Sequence, residues 1–369
     1  MEKIVLIVSH CPDPLINKRI QALKLDYAVT ILYIERGNPD FTKYEDVEYI
    51  KMNATYKNGK LFRRIFDSFK LKKQVNKTIK DRKAENIYAF RLDMLMLISK
   101  QYLKKCKIVY EVADLHNAII NNSKNTFKII IRKTLYSLEK NFCKYVDILS
   151  ITSEKYYDVY FNKFIPKEKM VYMPNIPNVE YFKKYKKKKS GKFTVGFIGF
   201  VRYKEQMKML IEAAKKIDIK VFFAGASDDD EIMNLSKQLK NIEYYGRYDY
   251  NTEIAQLYSK CDCIYSVYDT KYNNVKYALP NKLYESIYCK LPILVSSRTY
   301  LGKLVEELNV GVTVDAFSLT DLISKIGLLK DDKEFYEDLS KNCQKCKDVL
   351  NIDKYNKEFI NKLKNVRKI

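Results

Sequence analysis

Short β-branched runs alternate with longer amphipathic stretches along this chain, and the alternation occurs twice. Ile4–Val8, Val29–Tyr33, Ile87–Phe90, Ile108–Val112 and Ile148–Ile151 are the runs of the first half. Apolar runs of this length, separated by helical patterns, form parallel strands buried on both faces by the helices that connect them. The alternation pauses at the polar run Lys183 to Lys192 and resumes at Phe193–Gly199, followed by runs at 220–224, 242–245, 262–266, 292–296 and 310–314. The pattern predicts an α/β protein with two doubly wound parallel sheets. The expected domains are 1–182 and 193–350, joined by a linker at 183–192. Residues 351–369 are expected to form a C-terminal helix that returns to the first domain. A length of 369 residues suits two such cores. Open parallel sheets bind ligands beyond the carboxyl ends of their strands, so the loops there, and a cleft between the domains, are where a site is expected.

Charge is distributed unevenly over the two halves. Residues 1–190 carry 39 Lys+Arg against 20 Asp+Glu, and residues 191–369 carry 29 against 25. A basic first domain calls for a polyanionic partner, either nucleic acid or an anionic membrane surface. The most basic stretch, Lys57 through Lys83, sets 11 Lys+Arg against Asp67 and Asp81 and interleaves them with Phe62, Ile65, Phe66, Phe69 and Leu71 at helical spacing. A helix with an apolar stripe beside a cationic face suits the headgroup region of an anionic bilayer. Zinc knuckles, RNP motifs and helix-turn-helix patterns are lacking, which argues against nucleic acid. The expectation is peripheral attachment to the inner face of the cell membrane. Eight cysteines with no secretory signal at Met1–Val8 make the reducing cytosol the expected compartment. Cys261-x-Cys263 and Cys343-x-x-Cys346, with only His10 and His116 beside them, do not compose a zinc site, so no metal is expected.

Two strand-end loops carry the chemistry of the second half. Gly199-Phe200-Val201-Arg202-Tyr203-Lys204 leads from a strand into a helix. Such a junction aims backbone N–H groups and a positive helix end at an anion, and Arg202 and Lys204 add two cations suited to a diphosphate. It is neither a Gly-x-Gly-x-x-Gly nor a Walker A motif, so dinucleotide and ATP binding lose support. Pro280-Asn281-Lys282-Leu283-Tyr284-Glu285 starts a second helix. Glu285 lies about one turn in, on the face of Asn281 and Lys282, where a carboxylate can accept both hydroxyls of a ribose while phosphates sit at the helix start.

Taken in order, Gly-x-x-Arg-x-Lys, the strand Lys260-Cys261-Asp262-Cys263-Ile264-Tyr265-Ser266, Leu279-Pro280-Asn281-Lys282-Leu283-Tyr284-Glu285 and Lys290-Leu291-Pro292-Ile293 resemble the group 1, or family 4, glycosyltransferases of bacterial surface polysaccharide synthesis. In the first half, Tyr110-Glu111-Val112-Ala113-Asp114-Leu115-His116 is similar to that family's Tyr-Glu-x-x-Asp-Leu segment, and Met173-Pro174-Asn175 to its Pro-Asn strand end. The resemblance implies the GT-B fold, two Rossmann-like domains facing a central cleft, and metal-independent transfer with retention of configuration. It implies that Arg202, with Lys204 or Lys282, neutralises the diphosphate of a UDP-, GDP- or dTDP-sugar near Gly199. Glu285 would hold the ribose, and backbone amides near Lys282 and Leu283 would meet the phosphates, beside Asn281. The family pattern places a second glutamate eight residues before Glu285, where this chain has Tyr277. A phenol does not carry a carboxylate's charge at neutral pH, so Tyr277, Asn273 or Asn274 is left to position the sugar.

On the acceptor side, Asp114 and His116 follow a strand end and are placed to orient or deprotonate a sugar hydroxyl; His10, in the first strand-end loop, and Glu111 complete the candidates. Charge developing on the leaving diphosphate calls for Arg202 and Lys204 rather than a nucleophile. The expected activity is transfer of a sugar to a lipid-linked glycan of capsule, O-antigen or exopolysaccharide. The alternative is a catalytically weakened GT-B protein that binds or scaffolds, an option raised by Tyr277.

Overall fold

The computed structural model describes residues 1–369 apart from 38, 40, 54–60, 117–124, 189, 190, 228, 229, 347 and 367–369, with the backbone alone over 61–67. The chain forms two units, Met1–Pro174 with Ile352–Ile369, and Asn175–Asn351.

The first unit is built on seven parallel strands: β1 (Glu2–Val8), β2 (Tyr27–Ile34), β3 (Glu48–Met52), β4 (Asn86–Phe90), β5 (Lys107–Val112), β6 (Ile148–Ile151) and β7 (Met170–Tyr172). Their order across the sheet is β3-β2-β1-β4-β5-β6-β7. β1 is central, with Leu6 opposite Ile31 on one side and Tyr88 on the other. The β-branched runs account for five of these strands. The two edge strands escape that reading: Glu48–Met52 is mostly half exposed and carries charges at Glu48 and Lys51, and Met170–Tyr172 is three residues long. On one face Ile4, Leu6 and Val8 pack with Ile16, Ile20 and Leu23 and with Phe359, Ile360 and Leu363. Those last three belong to the C-terminal helix Ile352–Asn365, which is therefore part of this core.

The basic stretch expected at 57–83 forms the helix Leu61–Arg82. Residues 57–60 and the side chains of Phe62, Ile65 and Phe66 lie outside the described residues. Among the others, Leu71, Val75 and Ile79 recur at helical spacing and are buried, whereas Phe69 is 69% exposed. The core-facing stripe therefore runs through Leu71, and Phe69 points away from it.

Helix Thr126–Cys143 buries Glu139, whose carboxylate accepts hydrogen bonds from the Tyr110 hydroxyl at 2.5 Å and the Tyr160 hydroxyl at 2.7 Å. Burial pushes this carboxyl above the ordinary range and outweighs the two hydrogen bonds that favour its charged form. A raised folded-state value makes the native state hold its proton longer, so the contribution is fully present below the unfolded value and is lost as pH rises through the folded one. Glu139→Gln, which cannot ionise, should therefore gain in urea midpoint over the wild type as pH is raised from 4 to 7. A difference that stays constant with pH would count against the shift.

The second unit holds β8 (Thr194–Ile198), β9 (Lys220–Ala224), β10 (Ile242–Tyr244), β11 (Cys263–Ser266), β12 (Ile293–Ser296) and β13 (Gly311–Val314), all parallel, in the order β10-β9-β8-β11-β12-β13. All six coincide with the runs read from the sequence. The unit begins at Asn175, ahead of the lysine run expected as a linker, because aromatic residues spaced among the lysines pack onto it. The Phe182 ring lies 5.8 Å from Tyr258 and 5.3 Å from Tyr288, and the Tyr185 hydroxyl donates to the Cys289 carbonyl at 2.9 Å.

Seven of the eight cysteines are buried and none is in a disulfide. Burial pushes the thiols of Cys261, Cys263 and Cys289 well up, which makes them inert packing groups. Among the described residues no group of three or more His, Cys, Asp or Glu could hold a metal ion. No helix of the described residues is long and apolar enough to cross a membrane.

Candidate donor site and strand-end loops

The strand order of the second unit reverses between β8 and β11: from β8 the chain winds outward through β9 and β10, and from β11 through β12 and β13. A reversal of this kind opens a crevice at the carboxyl ends of the two strands. Gly199 follows β8 there, with φ +136, and its N–H donates to the Ala224 carbonyl at 2.8 Å. The neighbouring Gly225, at φ +139, lies so close that a Cβ on it would be 1.9 Å from the Gly199 carbonyl oxygen, so this turn admits glycine at both positions.

Helix Asn281–Cys289 brings Lys282 to the same place. A Cβ on Gly199 would sit 2.8 Å from the Lys282 ammonium, so the loop after β8 and the start of this helix, more than 80 residues apart in sequence, touch at that point. The ammonium rests 4.5 Å from the Phe197 ring centroid and 5.6 Å from that of Tyr268, and donates to the Tyr268 hydroxyl at 3.0 Å. It makes no ion pair among the described residues. The Pro280 cap contributes no side-chain acceptor to the helix start. A half-buried cation held on the Phe197 face and at the Tyr268 hydroxyl, beside a helix start with no side-chain cap, has the charge and setting to suit an anion.

The two cations of the Gly199 loop part company. Arg202 is exposed, with its guanidinium 5.6 Å from the Phe200 ring and 6.0 Å from that of Tyr203, and makes no ion pair among the described residues. Lys204 begins the helix Lys204–Lys216 and is paired with Glu231 at 2.5 Å; Lys208 shares that carboxylate. The expected pairing of Lys204 with a diphosphate is thus opposed by a glutamate on the helix Asp230–Gln238, a contact that loop spacing does not show.

Glu285 is not an open surface carboxylate. It is 3% exposed, and its two oxygens accept hydrogen bonds at 2.5 Å from the hydroxyls of Tyr250 and Tyr258. Burial first, and then the Glu285 charge, push both phenols well above their ordinary values, so they remain donors. Each carboxylate oxygen keeps a second lone pair for a further donor. Tyr250 and Tyr258, like Tyr268, escape a reading by motif. Tyr268 is marked only by its position two residues beyond the end of β11. Asn281 opens the helix, half buried; Leu283 is fully buried and its N–H donates to the Pro280 carbonyl at 3.1 Å, so the phosphate contact expected at its backbone gives way to a bond that closes the first turn. Tyr277 ends the short helix Asn273–Tyr277 and is half buried.

In the first unit the reversal lies between β1 and β4. His10, in the loop after β1, has Nε2 3.2 Å from Asp13 Oδ2 and Nδ1 3.3 Å from Ser9 Oγ. Asp13 also caps the helix Pro14–Leu23 by accepting from the Ile16 N–H at 2.9 Å. Burial would raise the Asp13 carboxyl, but the His10 and Ile16 hydrogen bonds win and hold it below its usual value. Asp114 and His116 are exposed after β5, and the Tyr156 hydroxyl lies 3.5 Å from Asp114 Oδ1. Glu111 stands apart from these: it is 1% exposed, paired with Arg19 at 3.0 Å and hydrogen-bonded by the Tyr88 hydroxyl. Its expected place among acceptor-binding residues gives way to a role in holding the sheet, because a partner 92 residues away claims both of its oxygens.

Comparison with known proteins agrees with this architecture. Residues 178–346, which contain the whole second sheet, match the family model described as "Glycosyl transferases group 1". Among solved structures, sucrose-phosphate synthase from Thermosynechococcus elongatus superposes with a TM-score of 0.76 at 15% identity, covering 97% of this chain and 97% of that one. WaaG, a glycosyltransferase involved in lipopolysaccharide biosynthesis, gives a TM-score of 0.73 at 12% identity over 98% of this chain and 100% of that one. Anabaena Alr3699/HepE, solved in complex with UDP, gives 0.71 at 13% over 99% and 100%. The fold is GT-B. No curated protein matches the sequence at a significant level.

Proposed function

We propose that this chain is a glycosyltransferase that takes its sugar from a nucleoside diphosphate sugar. The observation that carries the reading is the meeting of Gly199 and Lys282 at the β8–β11 reversal, a cation beside a glycine turn that makes no ion pair among the described residues. The family match over residues 178–346 and the UDP bound by Alr3699/HepE support the choice of ligand class. In this reading the diphosphate lies between the Gly199 loop and the N–H groups of Asn281 and Lys282, with Lys282 and Arg202 as counter-charges. The ribose hydroxyls donate to Glu285, whose carboxylate Tyr250 and Tyr258 hold in place. The leaving diphosphate gathers negative charge as the glycosidic bond breaks, and fixed cations there lower the barrier. Asp114, His116 and His10 are assigned to the acceptor hydroxyl. The acceptor is a lipid-linked glycan of a surface polysaccharide, reached from an anionic membrane surface by the basic first unit, and transfer retains configuration without a metal ion.

Titration calorimetry with UDP, GDP and dTDP and their sugars tests this directly. One nucleotide series should bind with a micromolar to millimolar Kd, and Glu285→Ala and Arg202→Ala should each weaken it about tenfold or more. Failure of all three series at millimolar concentration would sink the proposal. Binding without hydrolysis or transfer would favour the weakened, scaffolding reading that Tyr277 raises.

A further inference from the structure

An aromatic ledge beside Lys282 has no role in the site as assigned so far. Tyr203 precedes the helix Lys204–Lys216 at φ +62 and ψ +63, a left-handed conformation that a bulky side chain keeps only where its surroundings impose it, and such residues gather at ligand sites. Its ring lies 5.2 Å from Tyr268 at 46° and 5.9 Å from Tyr272 at 59°. Tyr272 is 47% exposed, so the ledge reaches water at the strand ends of this unit, while the Arg202 guanidinium lies 6.0 Å from the Tyr203 ring and would have to share or yield that face to a ligand. The contacts run in a definite order. Glu285 lies about one helical turn beyond Lys282, Lys282 touches Tyr268, Tyr268 touches Tyr203, and Tyr203 touches Tyr272. A nucleoside diphosphate sugar has its parts in the same order: ribose, diphosphate, sugar.

We propose that Tyr203 and Tyr272 form a stacking platform for the hexopyranose ring of the donor. The inference rests on the nucleotide-sugar reading of this site. A pyranose presents a face of C–H groups that packs on an aromatic ring while its hydroxyls stay at the rim, so the platform holds the sugar by its apolar face. This answers the chemistry of Tyr277, where the resemblance leads one to expect a carboxylate: the sugar is gripped by surface rather than by charge. The donors that fit are neutral hexoses with an unbroken C–H face.

The test compares each nucleotide with its own sugar conjugate, UDP with UDP-glucose, GDP with GDP-mannose and dTDP with dTDP-glucose, by calorimetry on the full chain. The proteins are wild type, Tyr272→Ala and Tyr203→Gly, the last chosen because glycine suits the left-handed backbone. Each variant should weaken the nucleotide sugar about three- to tenfold and leave the bare nucleotide within about twofold. Equal losses for nucleotide and conjugate would mean that the ledge holds the nucleoside, and no loss for either would mean that it holds nothing; both overturn the platform. If the wild type binds none of the six ligands, the donor reading itself falls and takes the platform with it, an outcome distinct from the other two. Thermal melts of the variants separate lost binding from lost fold.

Discussion

Arg19→Met should destabilise the first unit by about 3–5 kcal/mol, the cost of leaving one charge of a buried pair without its partner. Arg19 and Glu111 are each 1% exposed. The guanidinium reaches the carboxylate through Nε at 3.1 and 3.2 Å and Nη2 at 3.0 Å, and donates to the Met173 carbonyl at 2.7 Å. Burial, the largest single influence, pulls the guanidinium down, but the charges and hydrogen bonds of Glu111 and Tyr88 together outweigh it and raise it, so Arg19 stays protonated. With methionine in its place, the Tyr88 hydroxyl is the one donor left to Glu111 from this cluster. The second half of the experiment is Arg19→Met with Glu111→Leu. Replacing both charges by apolar groups of similar length should restore most of the loss, since the desolvation cost of both ions then disappears. Urea titrations followed by circular dichroism measure all three proteins. A single variant within about 1 kcal/mol of wild type would mean that the pair is not the closed, dry contact described.

The second large effect separates two lysines that look equivalent in the sequence. Lys282→Met should weaken nucleotide diphosphate binding about 10- to 100-fold, the value of a charge-assisted hydrogen bond in a half-buried site, while Lys204→Met should stay within about threefold. The difference lies in their partners. Lys204 has Glu231 at 2.5 Å, whereas Lys282 has two rings and a phenol oxygen. Methionine keeps the apolar stem against Phe197, so the change reports the charge more than the packing. Calorimetry with the nucleotide that binds the wild type decides the matter; a Lys204 variant that loses as much as the Lys282 variant would show that the Glu231 pair opens to admit the ligand.

These contrasts mark what the sequence shows and what it hides. Strands buried on both faces announce themselves as unbroken apolar runs, which is why β1, β2, β4 to β6, β8, β9, β11 and β12 were legible, whereas the edge strand β10, half exposed and carrying Glu243, follows from its place in the alternation. Edge strands β3 and β7 face water on one side and are short, so their composition looks like loop. Position along the chain was sufficient to place Gly199 in a strand-end loop and Lys282 at a helix start, and parallel topology did the rest by gathering strand ends and helix starts on one edge. What spacing does not reveal is the long-range partner. Nothing near Glu285 in sequence points to Tyr250 and Tyr258, nothing near Glu111 points to Arg19, and nothing near Lys204 points to Glu231. In each case the partner decides whether a charged residue serves the ligand or the fold.

The helix Ile352–Asn365 has a bearing on how the chain is made. Phe359, Ile360 and Leu363 belong to the same core as β1 and the helix Pro14–Leu23, yet a ribosome delivers them after every residue of the second unit. The second unit can close its core while its predecessor still has an open apolar seam. Synthesis order and completion order are therefore reversed: the part translated first is finished last, and its exposed seam is the place where a chaperone has time to act.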